Sequence, residues 1–127
     1  MKPPKILVVD DEANIRELIK VNLAAAGYDV ATASDGKEAI DKITASPPAF
    51  IILDVMMPDI DGWEVCKFVR DDPCLEHIKI IILTAKGTER DKIIGRGIFK
   101  ADDYLTKPFD IDDLTKSIKK HLDNHEN

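Results

Sequence analysis

The sequence of 127 residues is poor in cysteine and aromatic residues, and it has no long apolar run. Its two cysteines, Cys66 and Cys74, form no metal-binding or redox spacing, so we expect free thiols and a reducing compartment, the cytoplasm. No apolar stretch approaches the ~20 residues of a membrane-spanning helix, and the N-terminus shows no cleavable leader. We therefore expect no membrane partner.

An excess of positive charge is also missing. The formal net charge is −6 at pH 7, and the lysines near the C-terminus are interspersed with acids. Because domains that bind nucleic acid usually carry a basic face, we expect no direct nucleic-acid partner. The length suits one domain of the usual ~100–200 residues, and no linker or repeat divides it. The sequence predicts a single domain over residues 1–127.

What the sequence does contain is an alternation of short apolar runs with amphipathic helical stretches. Apolar runs at 6–9, 50–53 and 78–83, the last of which is interrupted by Lys79, are typical of strands buried on both faces. Weaker strands are predicted at 29–33 and 104–105. Strands that alternate with helices predict an α/β fold, a (βα)5 doubly wound parallel sheet of the flavodoxin-like type with five strands in the order 2-1-3-4-5.

Chemically active side chains stand where the predicted strands end, which is where open parallel sheets bind their ligands. These residues are Asp10, Asp11, Asp54, Thr84 and Lys107. Carboxylates ~4 Å apart repel each other by about 4 kcal/mol at an effective dielectric constant near 20, unless a cation joins them. Oxygen ligands without nearby sulfur or imidazole favour Mg²⁺, Mn²⁺ or Ca²⁺ over zinc.

This set of residues suits a phosphoryl group. Mg²⁺ commonly combines one or two carboxylates with phosphate oxygens. In the transfer transition state the charge is spread over three phosphoryl oxygens, which could face the metal, the Lys107 ammonium and the Thr84 hydroxyl. A carboxylate can accept the group as an aspartyl phosphate. Because Asp10 and Asp11 are paired and suited to metal, whereas Asp54 stands alone, Asp54 is the predicted acceptor.

Four motifs resemble those of the response-regulator receiver family of two-component signalling, and the resemblance extends over about residues 5–122. The motifs are VVDDE at 8–12, LDVMMPDIDG at 53–62, LTA at 83–85 and ADDYLTKPF at 101–109. The resemblance implies a Mg²⁺-dependent transfer of a phosphoryl group from a phosphohistidine to Asp54. The donor would be a sensor histidine kinase or a phosphotransfer protein.

The resemblance also implies a metal site. Asp11 and Asp54 match direct Mg²⁺ ligands, the backbone carbonyl of Met56 matches a third, and Asp10 matches a residue that acts mainly through water. Mn²⁺ is a possible substitute for Mg²⁺.

A switch is implied by three further matches. Thr84 matches the hydroxyl that turns towards the phosphate, and Tyr104 matches the aromatic residue that swings inward behind it. Lys107 matches the phosphate-binding lysine, and the bond to Pro108 is a candidate for cis geometry. A downstream protein would then bind the face formed by the predicted fourth helix, the fifth strand and the last helix.

Departures from the family pattern concern the fourth helix. Lys100 stands where Gly is common, and Gly95 and Gly97 weaken the helical pattern, since each helical glycine costs about 1 kcal/mol relative to alanine.

Two alternatives to the main interpretation stay open. One is a phosphate-independent interaction module on the same fold. The other is a Mg²⁺-dependent phosphatase with an aspartate nucleophile, which is disfavoured because Met56 stands where its second acid would be. We expect a signalling phosphoacceptor that assists its own phosphorylation and dephosphorylation, and not an enzyme.

Overall fold

The computed structural model describes residues 3–54, 62–84 and 100–126. The strands within these ranges are β1 (Lys5–Val9), β2 (Asp29–Ala33), β3 (Phe50–Asp54), β4 (Lys79–Thr84) and β5 (Asp103–Thr106). The helices are α1 (Ala13–Ala25), α2 (Gly36–Ala45), α3 (Gly62–Asp71) and the C-terminal helix α4 (Ile111–Glu126). None of the helices in these ranges has the length and apolar character needed to cross a bilayer. The predicted fourth helix, with Gly95 and Gly97, lies outside the described residues.

The strands form one parallel sheet in the order β2-β1-β3-β4-β5, so the predicted strand order is confirmed. The register aligns the carboxyl ends of the strands. Val9 of β1 lies beside Leu53 of β3, and the next residue of β3, Asp54, lies beside Leu83 of β4. Residues that directly follow these positions therefore meet at a single edge of the sheet.

Both faces of the sheet are covered, which explains the continuous apolar runs. In β1, Leu7 and Val9 pack in a cluster with residues of α2 and α3, whereas Ile6 and Val8 pack in a second cluster with residues of α1 and α4. Successive side chains of a strand point to opposite faces, so a strand between two helical layers has no polar face. Each such aliphatic side chain contributes roughly 1.5–3 kcal/mol through burial.

Local signals set the start of α2. The Asp35 side chain accepts a hydrogen bond from the Glu38 backbone N–H (2.8 Å), and Glu38 accepts one from the Ser34 backbone N–H (2.7 Å). Asp35 rather than Ser34 is therefore the capping residue, and Glu38 reaches back to the residue that precedes the cap. The backbone hydrogen bond from Ser34 is the main reason why the pKa of Glu38 lies below its ordinary value; weak burial opposes it, and Lys42 adds to it.

Candidate functional site

Two buried carboxylates and one ammonium meet at the carboxyl edge of the sheet. Asp10 directly follows β1 and is 0% exposed, and Asp54 ends β3 and is 3% exposed. Lys107 follows β5, and its Nζ lies 2.8 Å from Asp10 Oδ2 and 3.3 Å from Asp54 Oδ2. The ammonium therefore connects two carboxylates that would otherwise repel each other in a place with little water.

The loop after β1 holds Asp10 in a fixed orientation. Its Oδ1 accepts a hydrogen bond from the Glu12 backbone N–H (2.9 Å), and its carbonyl accepts one from Arg16 Nη1 (2.8 Å). Its own N–H donates to the Ala33 carbonyl at the end of β2 (3.2 Å). One carboxylate oxygen of Asp10 thus serves the loop, while the other faces Lys107.

The surroundings of Lys107 favour its charged form. Burial lowers the pKa of this amine, but the hydrogen bond and charge of Asp10 and the charge of Asp54 outweigh burial and raise the pKa above its ordinary value. Lys107 is therefore an ammonium at neutral pH. The peptide bond between Lys107 and Pro108 is cis, as the resemblance implied.

The acidic residues at this edge fit a hard divalent cation. Carboxylate oxygens of Asp10, Asp11 and Glu12 all lie within 4.8 Å of one another, and the last two residues are exposed. Hard cations such as Mg²⁺ prefer oxygen ligands of this kind. Lys107 connects Asp54 to this group through its contacts with Asp54 and Asp10.

Glu12 was not among the predicted site residues. Its Oε1 lies 3.8 Å from Lys107 Nζ, on the exposed side of the site. The signal in the sequence is its place directly after the Asp10–Asp11 pair, within the VVDDE motif.

The remaining predicted residues are less fully described. Thr84 pairs in register with Thr106 of β5, but its side chain lies outside the described part of the structure, and Met56 lies outside the described residues. Tyr104 is buried and packs in the same cluster as Leu7. The structure thus brings together Asp10, Asp11, Asp54 and Lys107 of the predicted set.

Comparisons with known proteins agree with this geometry. Residues 6–119 match the family model of the response regulator receiver domain. The chain is 49% identical over 115 residues to the alkaline phosphatase synthesis transcriptional regulatory protein PhoP of Bacillus subtilis. The alignment covers 91% of this chain and 47% of PhoP, so the chain spans about half the length of that relative.

Solved structures give the same result. The chemotaxis protein CheY4 of Vibrio cholerae is 36% identical, with a TM-score of 0.87 and coverage of 93% of this chain and 98% of CheY4. The response regulator TrrA of Thermotoga maritima, solved in complex with Mg(2+)-BeF, is 41% identical, with a TM-score of 0.81 and coverage of 92% and 97%.

The chain belongs to the response regulator receiver domain family. It is a signalling phosphoacceptor of two-component systems, and the predicted fold and function are confirmed. Members of this family interact with sensor kinases and downstream effectors and bind Mg²⁺ at an acidic pocket, and an acidic group is present here. The comparisons do not favour the interaction module or the phosphatase over this function.

Proposed function

We propose that Asp54 accepts the phosphoryl group. The observation that carries this proposal is the contact of one ammonium, that of Lys107, with both Asp54 and Asp10. One carboxylate oxygen of Asp10 binds its own loop and the other binds Lys107, so both oxygens already have partners within the site. Asp54 lies at the end of a central strand, where an in-line donor can approach from beyond the sheet edge.

Lys107 would change partner during the transfer. At rest its ammonium compensates the two buried carboxylates, and after transfer it would bind an oxygen of the phosphoryl group on Asp54. Asp10, Asp11, Asp54 and the Met56 carbonyl would hold Mg²⁺, or Mn²⁺ in its place, which would neutralise charge on the phosphoryl oxygens. Glu12 lies close enough to the acidic group to support this site through water.

Strand β5 would carry the signal away from Asp54. It contains Tyr104 and leads directly into Lys107, and it pairs with the strand that ends at Thr84. We infer that the Thr84 hydroxyl binds the phosphoryl group and that Tyr104 responds to this movement. A downstream protein would then read the face formed by the fourth helix of the family fold, β5 and α4.

The donor would dock in a groove beside Lys107. This groove of about 500 Å³ lies between α1 and the loop after β5 and is lined by Glu12, Ile15, Leu18, Lys107, Pro108 and Phe109. Leu18 is 49% exposed, and the neighbouring Val21 on α1 is 55% exposed. A phosphohistidine can reach Asp54 only from a protein seated next to it, so we assign this apolar surface to the sensor kinase or phosphotransfer protein.

The receiver domain would comprise residues 1–127 and act as a substrate and switch rather than as an enzyme that turns over an external phosphate ester. Its two cysteines, Cys66 and Cys74, form no disulfide, which fits a reducing compartment, the cytoplasm.

The test uses the phosphoryl mimic beryllium fluoride and the donor acetyl phosphate. Trp63 packs against the core cluster that contains Tyr104, so its fluorescence should change when Mg²⁺ and then beryllium fluoride are added. Mass spectrometry should find one added phosphoryl group after incubation with acetyl phosphate. Both responses should be lost in Asp54→Asn and kept in Asp71→Asn, a matched change at an exposed acid. Uptake that persists in Asp54→Asn would refute the assignment.

A further inference from the structure

Arg70 connects three segments at the amino end of β4 and β5, far from the carboxylates. Its Nε donates to the Lys100 carbonyl (3.0 Å), and its Nη1 donates to the carbonyls of Glu76 (2.8 Å) and Ile78 (2.6 Å). Its Nη2 binds Asp102 Oδ2 (2.9 Å). One guanidinium thus holds the chain just before β4 and just before β5 at a fixed distance from α3.

Asp102 closes the start of the strand pair. Its backbone N–H donates to the Ile80 carbonyl (2.8 Å), and its Oδ2 accepts from the Ile80 N–H (2.8 Å). Its Oδ1 lies 3.8 Å from Lys79 Nζ, and its carbonyl lies 3.1 Å from His121 Nε2 of α4. Each polar atom of Asp102 therefore has a neighbour that ties β5 to another element.

The backbone conformation of Lys100, just before β5, is imposed by its surroundings. Its φ is 55°, in the left-handed region that glycine adopts more readily. A non-glycine residue keeps such a conformation only where neighbouring contacts determine it. The hydrogen bond from Arg70 to the Lys100 carbonyl is a contact of this kind.

Strand β5 needs an external anchor, because it is a four-residue strand at the edge of the sheet. A slip of one residue would turn Tyr104 away from the cluster that contains Leu7 to the opposite face of the sheet. A slip of two residues would move Lys107 by roughly 7 Å, given a rise of ~3.3 Å per residue. Such a movement would break the 2.8 Å contact between Lys107 and Asp10.

We propose that Arg70 and Asp102 are positioning residues for the phosphorylation site at the opposite end of the sheet. They fix the start of β5 against β4 and thereby place Lys107 and Tyr104. The proposal rests on the proposed function only where Lys107 serves phosphoryl transfer. The effect on the register of β5 is independent of that role.

The first test compares Arg70→Gln with Lys67→Gln, which removes an exposed charge from the same helix. Urea unfolding first establishes conditions in which both variants are folded. Because a misplacement of ~1 Å can cost about 10²-fold in rate, Arg70→Gln should slow phosphoryl uptake from acetyl phosphate about tenfold or more per folded molecule. Lys67→Gln should keep the wild-type rate. Arg70→Lys retains the charge but not the fork of donors, so its rate should be intermediate.

A double-mutant cycle separates positioning from mere stabilisation. If Arg70 acts through Lys107, then Arg70→Gln should change the rate by less than about twofold in a Lys107→Gln background. A loss of rate that is equal in both backgrounds, or no loss in either, would overturn the proposal.

A second measurement is independent of phosphorylation. Cross-strand nuclear Overhauser effects between Ile82 and Tyr104 and between Leu83 and Leu105 report the register of β5. They should weaken or be replaced in Arg70→Gln and persist in Lys67→Gln. If the wild type takes up no phosphoryl group, the proposed function has failed. The nuclear Overhauser effects alone then test whether Arg70 positions β5. Unchanged signals would then refute the positioning role.

Discussion

Replacing Lys107 with methionine tests the electrostatic account of the site. The side chain is 16% exposed and faces two carboxylates that are almost fully buried. Removing one partner of a buried ion pair typically costs ~3–5 kcal/mol. Because Asp10 keeps its hydrogen bond from the Glu12 N–H and Lys107 is partly exposed, we expect a loss near the lower end, about 3 kcal/mol.

Urea unfolding in the presence of a chelator at pH 7 measures this loss. Lys67→Met is the control, since it removes one partner of an exposed ion pair, and exposed pairs contribute little to stability. The pKa of Lys107 is raised in the folded state above its ordinary value of 10.5. Its contribution to the free energy of unfolding is therefore fully present below pH 10.5 and is lost as the pH rises beyond the pKa of the folded state. A Lys107→Met protein within about 0.5 kcal/mol of the wild type would refute the reasoning, because surface changes are of that size.

The same variant should be less stable than the wild type without Mg²⁺ but should gain more stability when Mg²⁺ is added. An ammonium and a divalent cation that share carboxylates repel each other, so Lys107→Met should bind Mg²⁺ more tightly than the wild type does. Ligands stabilise the folded state in proportion to the logarithm of their concentration relative to Kd, so Mg²⁺ should stabilise the variant more. Equal stabilisation of both proteins would show that the metal and Lys107 do not share carboxylates.

Three further predictions concern other parts of the chain. Burial raises the pKa of Cys66 to about 11, whereas Cys74 is exposed, so a thiol reagent at pH 8 should modify Cys74 alone in the folded protein and both in urea. The pKa of Glu38 is lowered, so the stability advantage of the wild type over Glu38→Gln should be present above pH 4.5 and shrink as the pH falls below it; an advantage that grows on acidification would contradict this. Leu18→Lys should slow transfer from a phosphohistidine donor and leave uptake from acetyl phosphate unchanged, and equal slowing of both would remove the groove from the donor site.

The sequence predicted most of the fold because its central strands, β1, β3 and β4, are buried on both faces. Apolar runs alternate with helical stretches along this chain, so a run such as residues 50–53 is most simply interpreted as a buried strand. The convergence of Asp10, Asp54 and Lys107 followed from topology alone, since parallel strands end at a common edge.

Side-chain partners far apart in sequence could not be predicted in the same way. Arg70 and Asp102 are 32 positions apart, and neither lies in a pattern that requires the other. Their contact depends on how α3 and β5 pack against β4. The role of Glu12 in the acidic group likewise depends on the turn of the loop after β1.

The two faces of α1 have consequences for evolution. Ile19 and Leu23 are buried in the core, whereas Leu18 and Val21 on the same helix face outward. Exchanges at the outward positions leave the core intact, so their cost in stability is small. On the docking surface proposed above, exchanges on one side of a single helix would therefore change the choice of phosphodonor and leave the folded core as it is.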